Sequence, residues 1–527
     1  MKQALFYSHP FLFALYSVVF LYANNLKEYR LSVIVTPLVI AFCFAGIVFL
    51  LSKLFVKNIE KSALISSLII VVSLSYQRLL DFTKNLDITL GSLQISNEQI
   101  VPVLCLLILG LSVGRIMKYK KSLLAVNKFV TILTLVLLLF SLFKAISYEV
   151  KTQRLWKTPQ KPVTKIEKKG VATKNSPDIY YIIFDRYGGK KSLQEQLNFD
   201  NTPFLSFLEN KGFYVATEST TNYPKTFLSL ASSLNLEYVD YLTEQTEGGK
   251  SSDESLANPL IENNKALKFL KEKGYSYVHM GSWWTPTATN KNAEVVFTRE
   301  KPGYFNADEF TTGFLNTTII APILKSVFRE PTAVSKYPQN NNHRSIIYYQ
   351  FETFKKIPKI PGPKFVFAHI LLPHEPFVLD KNCNPLSEEI VFKRTHQENY
   401  IDQIQCANKK IEELVAMILK ESKTSPIIIL QADEGPFPMN SMVNSKQSWA
   451  TATTQALEEK FPILNAYYFP EASKTASLYP SITPVNSFRV LFNSYFGTNY
   501  ELLPDKNYIF QDGENYYKFL DVTEKLK

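Results

Sequence analysis

The stretch IIILQADEGPFP, residues 427–438, is a run of apolar residues that ends abruptly in two adjacent acids, a glycine and a proline. A continuous apolar run bounded by turn residues is typical of a strand buried on both faces of a parallel sheet. In such sheets, ligands collect at the carboxyl ends of the strands. The stretch therefore predicts a buried strand that delivers Asp433 and Glu434 to the edge where a site would form.

Four other apolar segments predict strands of the same sheet. They are DIYYIIFD (178–185), YSYVHM (275–280), KFVFAHILL (364–372) and LNAYYF (464–469). Between the strands lie helical patterns such as residues 399–422, whose apolar residues recur at helical spacing. This alternation predicts an α/β domain over residues 177–527, with a largely parallel central sheet covered on both faces.

The N-terminal part of the chain is apolar enough to enter a membrane. A spanning helix needs roughly 20 consecutive apolar residues, and residues 31–52 contain no charge. Four more segments are expected to span, the last three with tilt or snorkelling ends because they are shorter. The five segments are 3–26, 31–52, 62–77, 99–114 and 129–143. Residues 1–148 are thus predicted to form an α-helical membrane domain of about five helices.

Positive charges indicate the orientation of this domain. Cytoplasmic loops retain lysine and arginine, and these residues concentrate in 53–61 and 115–128. An odd number of helices would then carry the chain after residue 148 to the outer side. The basic linker expected at 149–176 is rich in cations, but long domains often cross regardless of flanking charge.

The net charge of +11 does not predict nucleic-acid binding, because it is unevenly placed. Residues 1–148 carry +9, residues 149–175 carry +6, and the remainder of the chain carries −4. The positive charge therefore belongs to the membrane boundary, where it can meet anionic lipid head groups. No basic face for nucleic acid is expected on the second domain.

Two strand segments deliver an acid to the same edge of the predicted sheet, since Asp185 ends the segment 178–185 and Asp433 ends the run 427–433. Clustered carboxylates repel and lose hydration unless a cation or a proton joins them. A hard metal ion is the economical explanation. The alternative is that two unrelated acids happen to cap strand ends.

Two further segments carry side chains suited to group transfer. Thr226 begins a helical run after a proline-containing turn, where it is either an ordinary helix N-cap or a nucleophile whose hydroxyl is acidified by a metal. His374, held between Pro373 and Pro376, is expected to donate to a phosphoryl oxygen or to protonate a leaving group. His369 is expected at the same strand end, more simply as a packed or hydrogen-bonded ring beside the substrate.

The order Asp185, Thr226, His374, Asp433 resembles the alkaline phosphatase and sulfatase superfamily. The strongest likeness is to the lipoteichoic acid synthase and lipid A phosphoethanolamine transferase group, which joins five transmembrane helices to an extracytoplasmic α/β catalytic domain. The resemblance is loose through the helices and more specific over residues 177–505. It implies a multi-pass protein of the bacterial cytoplasmic membrane, with the catalytic domain outside.

The same resemblance implies one divalent metal ion, held by Asp185, Thr226, Asp433 and the residue after Asp433, and it makes His374 the histidine that binds the substrate phosphate. Residue 434 departs from the pattern, because the family has Asp-His-Gly where this chain has Asp-Glu-Gly. With Glu434 as a ligand, the shell would be all oxygen and would favour Mn²⁺ or Mg²⁺ over Zn²⁺. The competing interpretation is a site that has lost its metal and its chemistry.

The activity implied by the resemblance is a ping-pong transfer. Thr226 would take a phosphoethanolamine or phosphoglycerol head group from a membrane phospholipid and pass it to a glycan or lipid of the cell envelope. Trp283 and Trp284 could offer aromatic faces to the head group or to a sugar, although tryptophan at these positions also has ordinary packing roles. A phosphodiester hydrolase of the same fold and a catalytically degenerate envelope binding protein are the alternatives.

The spacing of Cys383 and Cys406, both in the second domain, leaves open whether they form a disulfide.

Overall fold

The computed structural model describes residues 4–26, 29, 31–83, 88–90, 93–95, 97–156, 176–246, 248–299, 309–322, 338–438 and 448–527. The chain divides into two compact units, Met1–Arg154 with Glu300–Thr332 and Leu155–Arg299 with Ala333–Lys527. Residues 300–332 thus belong to the helical unit, although they fall inside the range expected for the second domain. The expected boundaries at 148 and 176 stay predictions, and most of the linker, 157–175, lies outside the described residues.

The first unit is helical, and each of the five predicted apolar segments contributes a helix to it. Its main helices are α1 (His9–Asn24), α2 (Val35–Val56), α3 (Ile59–Leu74), α4 (Tyr76–Phe82), α5 (Asn97–Lys118) and α6 (Leu124–Trp156), and a hairpin of β1 (Ile88–Leu90) and β2 (Leu93–Ile95) precedes α5. Among the described residues, α2, α5 and α6 are long and apolar enough to cross a membrane, and the bent pair α3–α4 could be a fourth span. Helix α1 is apolar but shorter, so the count of five spans stays a prediction.

The bend of 59° between α3 and α4 has a local cause. In a continuous helix the amide of Gln77 would donate to the carbonyl of Ser73, four residues earlier. Instead, the amide of Ile319 donates to Ser73 O at 2.8 Å and the amide of Gln77 donates to Thr317 O at 3.0 Å. Residues 317–319 follow α13 (Glu309–Asn316), whose Phe310 packs edge-on against Tyr22 at 6.2 Å. The inserted segment therefore replaces one helical hydrogen bond and stabilises the kink.

The second unit is built on a seven-stranded sheet in the order β4-β9-β8-β3-β7-β5-β6. Its strands are β3 (Ile179–Phe184), β4 (Tyr214–Val215), β5 (Ser276–Met280), β6 (Val295–Phe297), β7 (Lys364–Ile370), β8 (Ile427–Gln431) and β9 (Asn465–Tyr468). The pairs β8–β3, β3–β7, β7–β5 and β5–β6 are parallel, whereas β9 pairs antiparallel with β8 and β4. The predicted largely parallel sheet and its five predicted strands are confirmed.

Strand β3 shows why a central strand of this sheet has a continuous apolar sequence. Its alternate residues enter two separate hydrophobic clusters, Ile179, Tyr181 and Ile183 on one face and Tyr180, Ile182 and Phe184 on the other. Because side chains alternate along a strand, burial on both faces requires an unbroken apolar sequence. The centre of the unit is therefore a sheet between two apolar layers.

Helices cover both faces of this sheet. They are α7 (Thr202–Asn210), α8 (Thr226–Asn235), α9 (Leu242–Gln245), α10 (Asn258–Glu262), α11 (Lys265–Glu272), α12 (Thr285–Ala288), α14 (Pro338–Phe354), α15 (Glu388–Lys393), α16 (His396–Glu421), α17 (Thr454–Lys460) and α18 (Pro484–Phe496). Helices α8 and α18 belong to the first cluster and α16 to the second. Helix α16 confirms the helical pattern predicted at 399–422.

Two further features complete the second unit. A hairpin of β10 (Tyr508–Phe510) and β11 (Phe519–Asp521) forms a separate two-stranded sheet. Cys383, after β7, and Cys406, in α16, form a disulfide, which resolves the pairing that their spacing left open.

Replacing Ile319 by proline removes the N–H that bonds to Ser73 O. We expect the free energy of unfolding of the helical unit to fall by about 1 kcal/mol. Ile319→Val is the matched control, because it keeps the amide and most of the side chain. Thermal unfolding of the purified full chain in detergent measures the difference, and equal midpoints for the two variants would contradict the assigned role of this hydrogen bond.

Candidate active site

Three adjacent parallel strands, β8, β3 and β7, bring three ionisable side chains to one edge of the sheet. Asp185 follows β3 directly, Asp433 follows β8, and His369 lies near the end of β7. All three side chains are buried, and each offers one ligand atom within 4.8 Å of the others. This group of three could hold a metal ion.

The two carboxylates of this group favour a bound cation. Asp185 Oδ1 and Asp433 Oδ2 are buried and have no hydrogen-bond partner among the described residues. Burial, Asp185 and Glu434 raise the pKa of Asp433 well above its usual range. Burial opposes ionisation of Asp185 as well, but the neighbouring histidines His374 and His369 lower its pKa to about 2. A divalent ion would let both acids ionise and would satisfy the two open oxygens.

His369 is held in a fixed orientation. Its Nδ1 pairs with Thr287 Oγ1 at 2.9 Å, and its Nε2 lies 3.2 Å from Asp185 Oδ2. The ring is fully buried, and the edge of Trp284 packs against it at 5.8 Å between ring centroids. His369 was expected to be a hydrogen-bonded ring, and the structure adds that one of its nitrogens lies in the possible metal site.

Glu434 is not part of this group of three. Its Oε1 lies 3.0 Å from Lys460 Nζ and 3.1 Å from Arg186 Nε, while both Glu434 and Lys460 are almost fully buried. Lys460 also donates to the carbonyl of Gly435 at 2.8 Å. A Cβ at position 435 would lie 2.4 Å from Lys460 O, so only glycine fits there. The adjacent acids of the opening stretch therefore have different partners.

Thr226 is the first residue of α8, and the cap residue is Lys225, so the N-cap interpretation does not describe it. Its side chain lies close to the Asp433 carboxylate and favours the ionised form of that group. The turn before it is tied to the same strand end, because Thr221 Oγ1 donates to the carbonyl of Asp433 at 2.6 Å. The structure thus places Thr226 beside Asp433, and its role in the site stays a prediction.

His374 lies at the rim of the same site and is partly exposed. Its Nδ1 is hydrogen-bonded to the carbonyl of Glu375, which can only accept, so Nδ1 carries the proton. Burial and the nearby Arg186 lower the pKa of His374. In its neutral form, His374 therefore has an acceptor, Nε2, available to substrate.

Three residues near the site were not predicted from the sequence. Arg186 joins two acids, with Nε on Glu434 and its guanidinium paired with Glu375. Lys460 and His343 come from distant parts of the chain, His343 from α14, where Trp283 Nε1 donates to its Nδ1. Of the three, only Arg186 had a local signal, because it follows Asp185 directly.

Comparison with solved structures finds similar chains, whereas no protein-family model and no curated protein sequence matches this one. The integral membrane protein lipooligosaccharide phosphoethanolamine transferase A from Neisseria meningitidis is 13% identical at a TM-score of 0.41, over 93% of this chain and 95% of that chain. The C-terminal periplasmic domain of EcEptC from Escherichia coli, in complex with Zn, is 13% identical at a TM-score of 0.40, over 67% of this chain and 94% of that one. A 2-O GAG sulfatase is 16% identical at a TM-score of 0.38, over 62% and 71% of the two chains.

The chain is similar to phosphoethanolamine transferases and to sulfatases at these low identities and TM-scores. Its own fold, among the described residues, is a helical region with three to four apolar helices long enough to span a membrane, and an α/β domain with a mostly parallel central sheet.

Removing Lys460 leaves a buried acid with less compensation. We expect Lys460→Met to lower the free energy of unfolding by about 3 kcal/mol, because Glu434 then retains only Arg186. The double variant Lys460→Met/Glu434→Gln should recover part of this loss, since no unpaired charge remains. Unfolding midpoints of the two variants test the pair, and a double variant no more stable than the single one would contradict it.

Metal binding separates the two possible ligand sets. We expect His369→Ala to lower metal affinity at least about tenfold, whereas Glu434→Gln should leave it nearly unchanged because Glu434 is engaged by Lys460 and Arg186. Elemental analysis of the purified full chain, with Asp433→Ala as background, measures both. If Glu434→Gln loses the ion and His369→Ala retains it, the all-oxygen ligand set is correct.

Proposed function

We propose that the protein transfers a phospholipid-derived head group, phosphoethanolamine or phosphoglycerol, to a glycan or lipid acceptor of the cell envelope. The transfer would pass through a phosphothreonine-type intermediate on Thr226. The observation that carries this proposal is the position of the Thr226 side chain close to the Asp433 carboxylate, at the start of α8 and beside the possible metal group.

Thr226 is placed to act as the nucleophile. Asp433 lies close to its hydroxyl and is the base assigned to its proton. The Thr226 Oγ–phosphorus bond forms as the bond from phosphorus to the diacylglycerol oxygen breaks. The backbone amides of the first turn of α8 and the positive end of its dipole favour the anionic group that Thr226 then carries.

His374 is assigned the proton transfers to the leaving group of the donor lipid and from the acceptor. In its protonated form it gives the Nε2 proton to the departing diacylglycerol oxygen. The neutral ring then takes the proton of the acceptor hydroxyl as that oxygen attacks phosphorus. The bond to Thr226 breaks, and Thr226 regains its proton from Asp433, so both residues return to their starting states.

A divalent ion is proposed as the cofactor, with Asp185, His369 and Asp433 as ligands and Thr226 beside it. When bound, it would stabilise negative charge on the nucleophile and on the phosphoryl oxygens. The preference for Mn²⁺ or Mg²⁺ over Zn²⁺ depended on an all-oxygen shell. A set that includes the His369 nitrogen suits Zn²⁺ as well, so competition between these ions is part of the metal analysis.

The helical unit supports a lipid donor and a membrane location. Apolar helices long enough to span a bilayer precede the site-bearing unit in the chain. We propose a multi-pass protein of the bacterial cytoplasmic membrane whose second unit faces the outer side, since cations concentrate in the loops at 53–61 and 115–128. A phospholipid donor and a lipid or glycan acceptor of the envelope are its proposed substrates.

The intermediate can be detected directly. Protein purified from native membranes and quenched in acid should carry an added phosphoethanolamine or phosphoglycerol mass on the peptide that contains Thr226. Thr226→Ala should lose the modification and lower turnover by on the order of 1000-fold or more, because no nucleophile replaces the hydroxyl. Thr226→Ser is the matched control and should keep both.

The alternatives give different results in the same experiment. A phosphodiester hydrolase would show the modified peptide and turnover without an acceptor. A degenerate binding protein would show no modification after incubation with lipid and Mn²⁺, Mg²⁺ or Zn²⁺, and would contradict the proposal.

A further inference from the structure

We infer that His343 is a substrate-binding residue, and that its Nε2–H donates a hydrogen bond to a phosphoryl oxygen of the group transferred at Thr226. This inference rests on the proposed phosphoryl transfer. It adds to it a residue of α14, which lies outside every motif found in the sequence. Its basis is the one open nitrogen of a buried ring.

The tautomer of His343 follows from its partner. The indole Nε1–H of Trp283 can only donate, and it donates to His343 Nδ1. Nδ1 is therefore the acceptor, and the proton of the neutral ring lies on Nε2. Burial is the largest cause that lowers the pKa of His343, to about 3, so the ring is neutral at physiological pH and keeps this single donor.

The Nε2–H donor has no partner. His343 is 2% exposed, and its Nε2 is buried without a hydrogen bond among the described residues. A buried donor without an acceptor costs free energy, so native structures seldom keep one unless a ligand or an ordered water satisfies it.

Other buried histidines of this chain show the contrast. Both nitrogens of His279 are paired, with Tyr277 and with the carbonyl of Thr287. Both nitrogens of His369 are paired as well, with Thr287 and with Asp185. A purely structural role therefore does not explain why His343 leaves a nitrogen open.

The His343 ring lies close to the candidate active site. Trp283 contacts both His343 and His374, at 5.8 and 6.1 Å between ring centroids. The charges of His374, Asp185 and Glu375 all act on His343, and the backbone of His374 lies close to it. An acceptor that reaches His343 Nε2 would thus lie among the residues assigned to the phosphoryl group.

A phosphoryl oxygen is the acceptor that fits best. It is anionic, accepts only, and is present on the donor lipid, on the intermediate and on the product. His343 would hold this oxygen from the side of α14, while Thr226 is bound to the phosphorus. The expected contribution is to binding of the anion rather than to proton transfer, because the neutral ring has no second mobile proton.

The test uses the full chain in detergent, loaded with metal, and inorganic phosphate as the probe. His343→Phe keeps a flat ring but removes the donor, and we expect phosphate affinity to fall roughly tenfold or more. His343→Gln is the matched control, because its carbonyl can accept from Trp283 while its amide donates, and it should retain most of the affinity. Metal content and the unfolding midpoint of each variant establish that the site is otherwise intact.

Unchanged phosphate affinity in a folded, metal-loaded His343→Phe protein would overturn the inference, and so would an equal loss in the Phe and Gln variants. If the Phe variant does not fold, Trp283→Phe tests the same point, since it frees the tautomer without changing His343. A loss of affinity there supports the inference, and no change overturns it. Because phosphate binding does not require the Thr226 intermediate, this result is independent of whether Thr226 becomes modified.

Discussion

The repulsion between Asp185 and Asp433, buried at the ends of neighbouring parallel strands, is the constraint on which the site depends. Several contacts around the two acids reduce it. His369 Nε2 lies beside Asp185, the Thr226 side chain lies close to Asp433, and the backbone amide of Arg186 donates to Asp433 Oδ1 at 3.2 Å. Arg186 reaches this geometry with a φ of 62°, a left-handed conformation that costs free energy for a non-glycine residue. One strained residue thus lies where charges must be balanced.

A second group of charged side chains in the site has no net charge. Arg186 and Lys460 face Glu434 and Glu375, two cations against two anions. The charge of Glu434 is therefore balanced by Lys460 and Arg186, but its Oε2 is buried without a hydrogen-bond partner among the described residues, and its role as a metal ligand stays a prediction. The two remaining acids, Asp185 and Asp433, match the charge of one divalent ion. This division explains how the chain can carry a glutamate after Asp433 without adding an uncompensated charge to the metal group. It also links β8 to α17 and to the end of β3.

Histidines divide into two kinds in this site. His369 has both nitrogens engaged and is oriented by Thr287, whereas His343 and His374 each have one nitrogen without a hydrogen-bond partner among the described residues. Trp283 and Trp284, considered from the sequence as substrate contacts, pack against these rings. Their contact with substrate stays a prediction, while Trp283 sets the tautomer of His343.

Features that depend on the local pattern of apolar residues could be predicted from the sequence. Apolar runs predicted the helical region and the five main strands, and the rule that ligands gather at strand ends placed Asp185 and Asp433 together. The strands β4 and β6 were missed because two or three residues are too short to show a pattern. The pairing of each basic side chain with its acid depended on the tertiary structure. Lys460 and His343 reach the site through folding of distant segments, and the orientation of Glu434 depends on Lys460, which is 26 residues away in the chain. The periodicity of apolar residues predicts whether a backbone segment is buried. The direction of a single charged side chain is set by partners that the local sequence does not contain.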